Sequence, residues 1–419
     1  MISDQSKKTS VFETAEGGEI AIDVSRNFMR PIIWDSALRK LPWRSIRGSD
    51  DLVHATKLAW SGSPSRFRLA EGCSVPLAKA VDIQSPQGAA FEIAKALTWR
   101  REYWAAEIDV VAIPRATYFP SANLIVNDGA YVWEELEYTT DMRSTGLFKE
   151  GDGPLTLRPA YQKMALEAPL IAGVTWICGC RYYRNYTHWH TEVLSQLMDL
   201  DVQLPNPTRF AFQSLDEGRR TSLLATRRVK RSDIVLADKA YHFEIALVAT
   251  QSLFRTWLHP AIAAPLRALA SEMVSQSVPS RRPRRPVYIS RLDAGARPMT
   301  NETDLCAALE AVGVKIVTAS ETSYKEQVAI FSSASLLIGP HGSGLTNMIY
   351  CPKGTPVIEL RATHASGRSP LWDGSYRMLS SIMGIPYGVM VFENPVDTDP
   401  WQVDIPLVLA TLAKFDLGA

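Results

Sequence analysis

The sequence predicts an α/β protein built on doubly wound parallel sheets, and three observations lead to this fold class. From Val287 onwards, short β-branched runs alternate with segments of helical spacing, as in parallel strands joined by helices. The chain has 419 residues, which at about 100–200 residues per domain predicts two or three domains. Apolar residues make up 46% and charged residues 21% of the chain, so ordinary hydrophobic cores are expected.

We place the first domain at residues 1–250. Its first hundred residues carry no motif that indicates a role. Strands are predicted at 108–114, on both sides of a hairpin turn at 127–129, at 170–180 and within 232–240. A helix is predicted to begin near Asn185, because the apolar residues that follow recur at helical spacing.

The second predicted domain covers residues 251–419. A helix over 255–276 opens it, with Pro260 and Pro265 expected to break its start, and a proline- and arginine-rich connector follows. Strands and helices then alternate. The predicted segments, in chain order, are strand 287–291, helix 303–313, strand 314–319, helix 323–334, strand 335–339, helix 343–350 and strand 356–360.

Composition argues against several classes of protein. The net charge is +1, so the charge balance gives no reason to expect nucleic acid as a partner. The polar N-terminus lacks the apolar stretch of a signal peptide, and no run of about 18 apolar residues predicts a membrane span. Five cysteines favour a reducing compartment, and Cys178 and Cys180 are expected to be buried thiols. We therefore expect a cytoplasmic protein, with peripheral membrane association through residues 38–68 left open.

A glycine-rich turn follows the predicted strand that ends near Ile338. In doubly wound sheets ligands bind beyond the carboxyl ends of strands, where helix amides attract anions. Glycines there let the backbone approach a phosphate, and His341 can donate to a phosphate oxygen. The turn is not a P-loop, because Leu345 replaces the lysine, and not a dinucleotide fingerprint, because Asn347 replaces the third glycine. A tight turn with a satisfied histidine is the structural alternative.

Two arginines lie at the end of another strand of the same predicted sheet. Arg291 ends the strand from Val287, and Arg297 lies in the loop before a helix that Thr300–Glu302 is expected to cap. The planar guanidinium group matches phosphate, so the two arginines are candidates for holding a diphosphate. Glu359 ends a further strand, where it is equally suited to accept ribose hydroxyls or to pair with Arg361.

An acid–histidine pair marks the helix that begins near Asn185. His188 and Glu192 are four residues apart, so on a helix they share one face. A carboxylate there can take the proton from an incoming hydroxyl while His188 orients the substrate. A surface pair without function is the alternative. Two Asp-x-Asp triplets, at 199–201 and 397–399, are the pattern of some metal-dependent sugar-nucleotide enzymes but arise easily by chance.

Three stretches of the chain together resemble glycosyltransferase family 61, the DUF563-type enzymes, over residues 110–405. The matching positions are Asn185, Tyr186, His188, Trp189 and Glu192, then Tyr288–Arg291, Arg297, Asn301 and Glu302, and finally Gly339–Asn347, Gly354 and Val357–Leu360. Glu192 stands where the family more often has aspartate, and Ser343 replaces the usual alanine.

The resemblance implies a GT-B-like architecture, with two Rossmann-type domains facing a central cleft. It also implies an inverting, metal-independent transferase that needs no cofactor besides its nucleotide-sugar donor and acts on a glycan, lipid-linked or other hydroxyl acceptor. Bacterial polysaccharide or lipopolysaccharide assembly is the expected setting, with an acceptor domain at 1–250 and a donor domain at 251–419.

The predicted site separates two roles. Glu192 and His188 are the candidate catalytic residues. The candidate donor-binding residues are Arg291, Arg297, His341, Gly342, Ser343, Gly344, Asn347 and Glu359. The main alternative is a non-catalytic nucleotide-sugar or glycan-binding protein on the same scaffold. A nucleotide-sugar epimerase is a weaker alternative, since it would need a nicotinamide cofactor.

Overall fold

The computed structural model describes most of the chain beyond residue 157 and shorter stretches before it. The described residues are 9–13, 19–23, 44–45, 65–77, 83, 90, 94, 98, 101–105, 108–121, 123–127, 131–132, 157–180, 182–197, 208–249, 253–254, 257–277, 283–363, 374–394 and 400–415. Both Asp-x-Asp triplets and most of residues 38–68 lie outside these ranges.

Strands predominate in the amino-terminal part of the described chain, whereas strands and helices alternate in the carboxyl-terminal part. The strands are β1 Thr9–Glu13, β2 Glu19–Asp23, β3 Arg44–Ser45, β4 Ser65–Ala70, β5 Cys73–Pro76, β6 Glu102–Ala105, β7 Ile108–Phe119, β8 Leu124–Asn127, β9 Tyr131–Val132, β10 Leu170–Ile177, β11 Thr208–Phe212, β12 Ile234–Leu236, β13 Tyr241–Ala249, β14 Leu253–Phe254, β15 Trp257–Leu258, β16 Arg285–Ser290, β17 Lys315–Thr318, β18 Ala334–Pro340, β19 Val357–Ala362 and β20 Tyr387–Phe392. The α-helices are α1 Pro159–Leu166, α2 Glu217–Ala225, α3 Ala263–Ser277, α4 Glu302–Ala311, α5 Tyr324–Phe331, α6 Ser375–Met383 and α7 Ile405–Leu412. Shorter helical segments are an α-turn at Tyr186–His188, a π-helix at Trp189–Leu194, and 3₁₀ segments at Arg231–Asp233, Pro260–Ile262, Ala319–Glu321 and Ser343–Tyr350.

The chain forms two compact units that are not continuous in sequence. The first unit comprises Met1–Glu71, Glu107–Arg184 and Glu192–Arg255, and the second comprises Gly72–Ala106, Asn185–Thr191 and Thr256–Ala419. The division expected at residue 250 differs from these units in three segments: 72–106 and 185–191 belong to the second unit, and 251–255 belongs to the first.

The first unit is built on a mixed nine-stranded sheet. Its strand order is β12-β11-β10-β13-β7-β4-β3, and β8 and β9 extend it from β7. Strands β12, β11, β10 and β13 run parallel, whereas β7 runs antiparallel to both β13 and β4. Strands β8 and β9 pair antiparallel, with Asn127 opposite Tyr131, on either side of the predicted hairpin turn at 127–129, of which residues 128 and 129 lie outside the described ranges. Cys178 and Cys180 are buried free thiols, as expected.

Strand β13 is the central strand that sequence patterns missed. It is buried from His242 to Ala249, so it lacks the alternation of polar and apolar residues that marks a half-exposed strand. The buried His242 ring is accommodated by two hydrogen bonds. Its Nε2 lies 2.9 Å from the carbonyl oxygen of Ala165, which can only accept, so Nε2 carries the proton and Nδ1 accepts from the Thr117 hydroxyl at 2.8 Å.

We expect His242 to make the fold sensitive to acid. Burial lowers the pKa of His242, and the hydrogen bond to Ala165 opposes this only in part. Below about pH 6.5 the unfolded chain therefore binds a proton at His242 that the folded chain does not bind. The free energy of unfolding then decreases by at most about 1.4 kcal/mol for each pH unit of acidification. Thermal unfolding at pH 7.5 and 5.5 measures this loss. A His242→Gln variant should lose less than the wild type over the same interval, and an equal loss contradicts the assignment.

The second unit carries a five-stranded sheet whose order is β17-β16-β18-β19-β20, with every neighbouring pair parallel. This confirms the predicted α/β class with a parallel sheet. If the strands of this sheet are numbered along the chain, their spatial order is 2-1-3-4-5, which is a doubly wound topology. Its switch point lies between β16 and β18. Strands β16 to β19 were predicted from sequence, and the edge strand β20 was not.

Helices around this sheet largely follow the predicted pattern. Pro260 begins a 3₁₀ turn and Pro265 lies in the first turn of α3, so the helix starts after the first proline, as expected. The segment Ser343–Tyr350 is a 3₁₀-helix, closed by the bond from the Leu345 amide to the Gly342 carbonyl at 3.0 Å. All its residues from Leu345 onwards are buried. Across the described residues, no helix combines the length and the apolar character that a membrane span requires.

Candidate functional site

Two predicted site residues lie at the switch point of the C-terminal sheet. Arg291 directly follows β16, and His341 directly follows β18. These strands are neighbours, with Tyr288 opposite Ile338, so their carboxyl ends lie side by side. This is the edge at which open α/β sheets bind ligands, because the strand order reverses there and leaves a crevice.

A cavity opens at this edge and is rich in cationic side chains. Its lining consists of Arg291, Arg297, Pro340, His341, Arg361, Ala362 and Trp401. About 330 Å³ of space lies within this lining, part of it open to solvent. Three guanidinium groups and an imidazole converge here, which is the donor set expected for a phosphorylated ligand.

Arg291 is held in place from both its backbone and its side chain. Its amide donates to the Glu302 carboxylate at 2.7 Å, and its Nη2 donates to the Ala296 carbonyl at 3.1 Å. Burial lowers the pKa of Arg291, and the neighbouring charge of Arg297 lowers it further. Two guanidinium groups that repel one another would be stabilised by an anion between them.

Glu302 connects the strand end to the helix rather than capping that helix in the expected way. The Asn301 side chain makes no capping bond to the helix. The buried Glu302 carboxylate instead accepts from the Tyr288 hydroxyl, the Ser290 hydroxyl, both at 3.0 Å, and the Arg291 amide. The expected cap at 300–302 is thus replaced by a buried acceptor that fixes the end of β16.

The loop that carries Arg297 is held by Trp401. Arg297 adopts a left-handed backbone conformation with φ of 56°, which is unfavourable for a residue with a side chain. The Trp401 indole donates to the Arg297 carbonyl at 3.2 Å, and the Trp401 amide donates to the Pro298 carbonyl at 3.1 Å. These bonds stabilise the conformation that places the arginine at the cavity.

The glycines of the turn allow close packing within the protein. A Cβ added at Gly339 or at Gly344 would lie 2.5 Å from side-chain atoms of Ile289 on the neighbouring strand. A Cβ at Gly342 would overlap the Arg291 guanidinium. The glycines thus bring β16 and the turn together and leave space for Arg291. The approach of their backbone to a phosphate stays a prediction.

His341 is connected to a buried carboxylate. Its Nδ1 forms a short hydrogen bond with Glu359 Oε1, and the Tyr387 hydroxyl donates to the other oxygen, Oε2. Arg361 Nη1 lies 3.4 Å from Glu359 Oε1. Of the two uses foreseen for Glu359, the contact with Arg361 is therefore present, and a contact with ribose stays a prediction.

Electrostatics keep the Glu359 carboxylate ionised. Its side chain is 1% exposed, and burial alone would raise its pKa. The charges of Arg361 and His341, with the hydrogen bonds from His341 and Tyr387, outweigh burial, so the pKa of Glu359 lies below its ordinary value. Burial and the charge of Glu359 in turn raise the pKa of Tyr387 well above its usual range, so its hydroxyl stays a donor.

The predicted catalytic helix begins where the sequence indicated, but its geometry differs. Asn185 caps it by accepting from the Thr187 amide at 2.8 Å and the His188 amide at 3.4 Å. After His188 the helix continues as a π-helix from Trp189 to Leu194. The expected regular α-helix is thus replaced by a wider turn, a rare form that is frequent at functional sites.

His188 and Glu192 differ in their surroundings within this segment. His188 is partly exposed, whereas Glu192 is 5% exposed. The segment up to Thr191 packs with the second unit, and the chain from Glu192 packs with the first. The structure places both residues at this transition, and their catalytic roles stay predictions.

Three residues near His188 in the chain connect segment 185–191 to the rest of the second unit by hydrogen bonds. The Tyr186 hydroxyl donates to Asn347 Oδ1 at 2.9 Å, and the Thr187 hydroxyl lies 2.8 Å from that of Thr346 and 3.1 Å from that of Tyr376. His190 Nδ1 donates to the Tyr186 carbonyl at 2.8 Å. Sequence reasoning singled out this motif for chemistry and missed that half of it serves packing.

His190 is the clearest example of that packing role. Its ring is buried, and its Nε2 lies 3.0 Å from the Tyr324 hydroxyl and 3.1 Å from the Tyr350 hydroxyl. Because Nδ1 donates to a carbonyl, Nε2 is the acceptor in this cluster. The ring therefore connects the segment to α5 and to the end of the 3₁₀-helix.

Asn347 and Ser343 do not line the cavity with His341. The Asn347 side chain is 1% exposed, and it accepts from Tyr186 and donates to the Gly344 carbonyl at 3.1 Å and to Gln327 at 3.4 Å. A direct contact between Asn347 and a donor stays a prediction. Ser343 begins the 3₁₀-helix, directly after Gly342.

Four cavity residues were not assigned to the site from sequence, and two of them, Arg361 and Trp401, carry polar side-chain groups. Arg361 lies one residue beyond the predicted end of its strand, so its place at the carboxyl edge was a usable signal. No sequence signal indicated Trp401, because it lies more than a hundred positions from Arg297, the residue that it contacts.

Metal ligation finds no candidate set within the described part of the chain. There, no three or more histidine, cysteine, aspartate or glutamate side chains are grouped so as to hold a metal ion. The two Asp-x-Asp triplets are outside that part.

Comparison with known proteins identifies the region that carries the site. Residues 186–358 match the family model described as Glycosyltransferase 61. We refer to residues 186–358 as the glycosyltransferase 61 region, after the family model that they match. The glycosyltransferase 61 region begins at the Tyr186 contact with Asn347 and ends within β19, and it includes Arg291, Arg297 and His341.

The chain is also similar to named glycosyltransferases. It is 28% identical over 116 residues to Protein O-linked-mannose beta-1,4-N-acetylglucosaminyltransferase 2 of Xenopus laevis, and equally to the protein of that name from Xenopus tropicalis. In each case the similarity covers 25% of this chain and 20% of the relative. The chain thus spans about a fifth of the length of the curated relatives that it matches.

Proposed function

We propose that this protein is an inverting glycosyltransferase that moves a sugar from a nucleotide-diphosphate donor to a hydroxyl acceptor without a metal ion. The observation that carries the proposal is the cationic cavity at the switch point of the C-terminal sheet, within the glycosyltransferase 61 region. Arg291, Arg297 and His341 supply charge where the departing diphosphate gains it. Fixed donors aimed at developing charge are usually the largest catalytic term.

The first part of the proposed reaction is activation of the acceptor. Glu192 takes the proton from the attacking hydroxyl, and His188 orients the substrate. The acceptor oxygen then bonds to the anomeric carbon as the bond from that carbon to the diphosphate oxygen breaks, and the configuration inverts. A GT-B arrangement of two Rossmann-type domains, as the family resemblance implies, is part of this proposal.

The acceptor belongs to the proposal as well. The relatives are named for adding N-acetylglucosamine to an O-linked mannose, so their acceptor is itself a sugar hydroxyl. We extend this to a glycan hydroxyl as acceptor for this chain. Bacterial polysaccharide or lipopolysaccharide assembly, at the cytoplasmic face of a membrane, stays a prediction from the resemblance.

A ligand screen by thermal unfolding tests the donor site. Because a ligand that binds the folded state stabilises it by mass action, a hundredfold excess over Kd adds about 2.7 kcal/mol. We expect nucleoside diphosphates and one class of nucleotide sugar to raise the Tm, and nucleosides without phosphate to leave it unchanged. Product anomers from the best donor, read by NMR, then test inversion.

Arg297→Met is the test variant for this screen, and Arg228→Met is its matched control. The test variant keeps the stem of the side chain but removes the charge, so the stabilisation by nucleoside diphosphates should fall. Arg228→Met, at an exposed arginine of the first unit, should behave as the wild type. Equal stabilisation by nucleosides and by diphosphates would contradict the proposal.

A further inference from the structure

The buried carboxylate behind His341 faces protein groups on both of its oxygens. His341 Nδ1 and Arg361 are at Oε1, and the Tyr387 hydroxyl is at Oε2. Glu359 is almost fully buried, whereas the His341 side chain is 14% exposed and lines the cavity. The carboxylate is therefore placed to act on the histidine rather than on a ligand.

Restraints from three directions fix the His341 ring. The His341 amide donates to the Leu360 carbonyl at 2.8 Å, which ties its backbone to β19. Glu359 holds Nδ1, and the Tyr376 ring packs edge-on at 5.3 Å between centroids. Because Nδ1 and Nε2 lie on opposite edges of an imidazole, the bond to Glu359 turns Nε2 away from the buried carboxylate.

We propose that Glu359 is a positioning residue for His341, which keeps a proton on Nδ1 and directs Nε2 to the phosphate-binding side of the cavity, and that Tyr387 fixes Glu359 in this role. The identity of the ligand rests on the proposed function. In its charged form the ring presents an Nε2–H to a phosphate oxygen, and no bond is made or broken at Glu359. Carboxylates that orient histidines in this way determine which nitrogen carries the proton.

Several charged or titratable groups surround the ring and belong to the same arrangement. They are Glu359 and Arg361 on β19, Tyr387 on β20, Tyr376 on α6, and Arg291 and Arg297 in the loop after β16. The cations favour an anionic ligand, and Glu359 is the acid that contacts the ring among the described residues. Removing Glu359 thus affects His341 and also Arg361, which contacts the same carboxylate oxygen.

The proposal separates Glu359→Gln from Glu359→Leu. The glutamine keeps an acceptor for Nδ1–H but loses the charge, and the leucine keeps neither. We expect pyrophosphate affinity, measured by calorimetry, to fall by about tenfold to a hundredfold in the leucine variant, by analogy with carboxylates that orient metal-ligating histidines, and by less in the glutamine variant. Tyr387→Phe removes only the hydrogen bond from Tyr387 to Glu359 and should give the smallest loss of affinity. This variant still tests the proposal if the leucine variant does not fold.

A double-mutant cycle decides whether Glu359 acts through His341. On a His341→Ala background, Glu359→Gln should cause no further loss of pyrophosphate affinity, since residues in one network are not additive. Additive losses would overturn the positioning role. A wild-type preference for a ribonucleotide over its 2′-deoxy analogue that Glu359→Gln abolishes would also overturn it, because that result assigns Glu359 to the ribose.

A spectroscopic measurement keeps this inference separate from the proposed function. In protein labelled with ¹⁵N-histidine, with His341→Ala identifying the resonance, the wild type should show a protonated Nδ1 at His341 in the absence of any ligand. Glu359→Leu should move the proton to Nε2. If pyrophosphate does not bind but the tautomer shifts, the donor site is wrong and the positioning role stands; an unchanged tautomer overturns the role.

Discussion

Replacing Arg291 with methionine is expected to reduce kcat/KM for sugar transfer by about a hundredfold to a thousandfold, the loss typical of removing one fixed donor at a developing charge. The guanidinium lies at the switch point, beside Gly342 and against Arg297. Methionine fills a similar volume, and the Arg291 amide that binds Glu302 is unchanged, so the fold should persist. Initial rates at several donor concentrations measure the loss.

The matched control for Arg291→Met is Arg285→Met. Arg285 begins the same strand, at its amino end, and is exposed. That variant should keep wild-type kcat/KM and Tm. Equal rates in both variants would show that the cavity at the carboxyl edge does not bind the donor phosphates.

Replacing Glu192 with glutamine is expected to lower kcat by about a hundredfold to ten-thousandfold, the usual contribution of a general base. Glutamine has the same shape but cannot accept the acceptor's proton. Donor binding, measured by thermal stabilisation, should stay close to wild type because Glu192 is not among the residues that line the cavity. Turnover near the wild-type value would end the assignment of Glu192 as the base.

Two further measurements sharpen the Glu192 experiment. Azide carries no proton to remove, so with azide as the acceptor Glu192→Ala should turn over as fast as the wild type. Glu310→Gln, at an exposed position of α4, is the control for a surface glutamate. Nucleotide binding without turnover in the wild type itself would favour the alternative of a binding protein on the same scaffold.

Local patterns predicted the strands of the C-terminal sheet but not the order in which they pair. Alternation of apolar strands with helical segments placed β16 and β18 correctly. That Arg291 and His341 end neighbouring strands depends on β18 pairing beside β16, a long-range choice that leaves no local signature. The prediction that both lie in one sheet is confirmed, and their shared cavity is a finding of the structure.

Residues that support the site were harder to predict than those that line it. Glu302 appeared to be a helix cap because a short polar run precedes α4, yet its carboxylate is used by β16. The partners of Glu359 come from two strands and from the turn after a third, and Tyr387 lies on a strand that the sequence did not indicate. Hydrogen bonds between distant segments fix these roles, and neither spacing nor composition encodes them.

The discontinuous make-up of the second unit bears on how it can be produced in isolation. A C-terminal fragment that begins after residue 250 would lack Tyr186, Thr187 and His190. Asn347, Thr346 and Tyr350 would then lose the hydrogen bonds that they make with these residues. It would also lack Tyr103, whose hydroxyl donates to the Leu258 carbonyl. A soluble truncation therefore has to retain three stretches of chain, so splicing or circular permutation is better suited to this protein than simple excision.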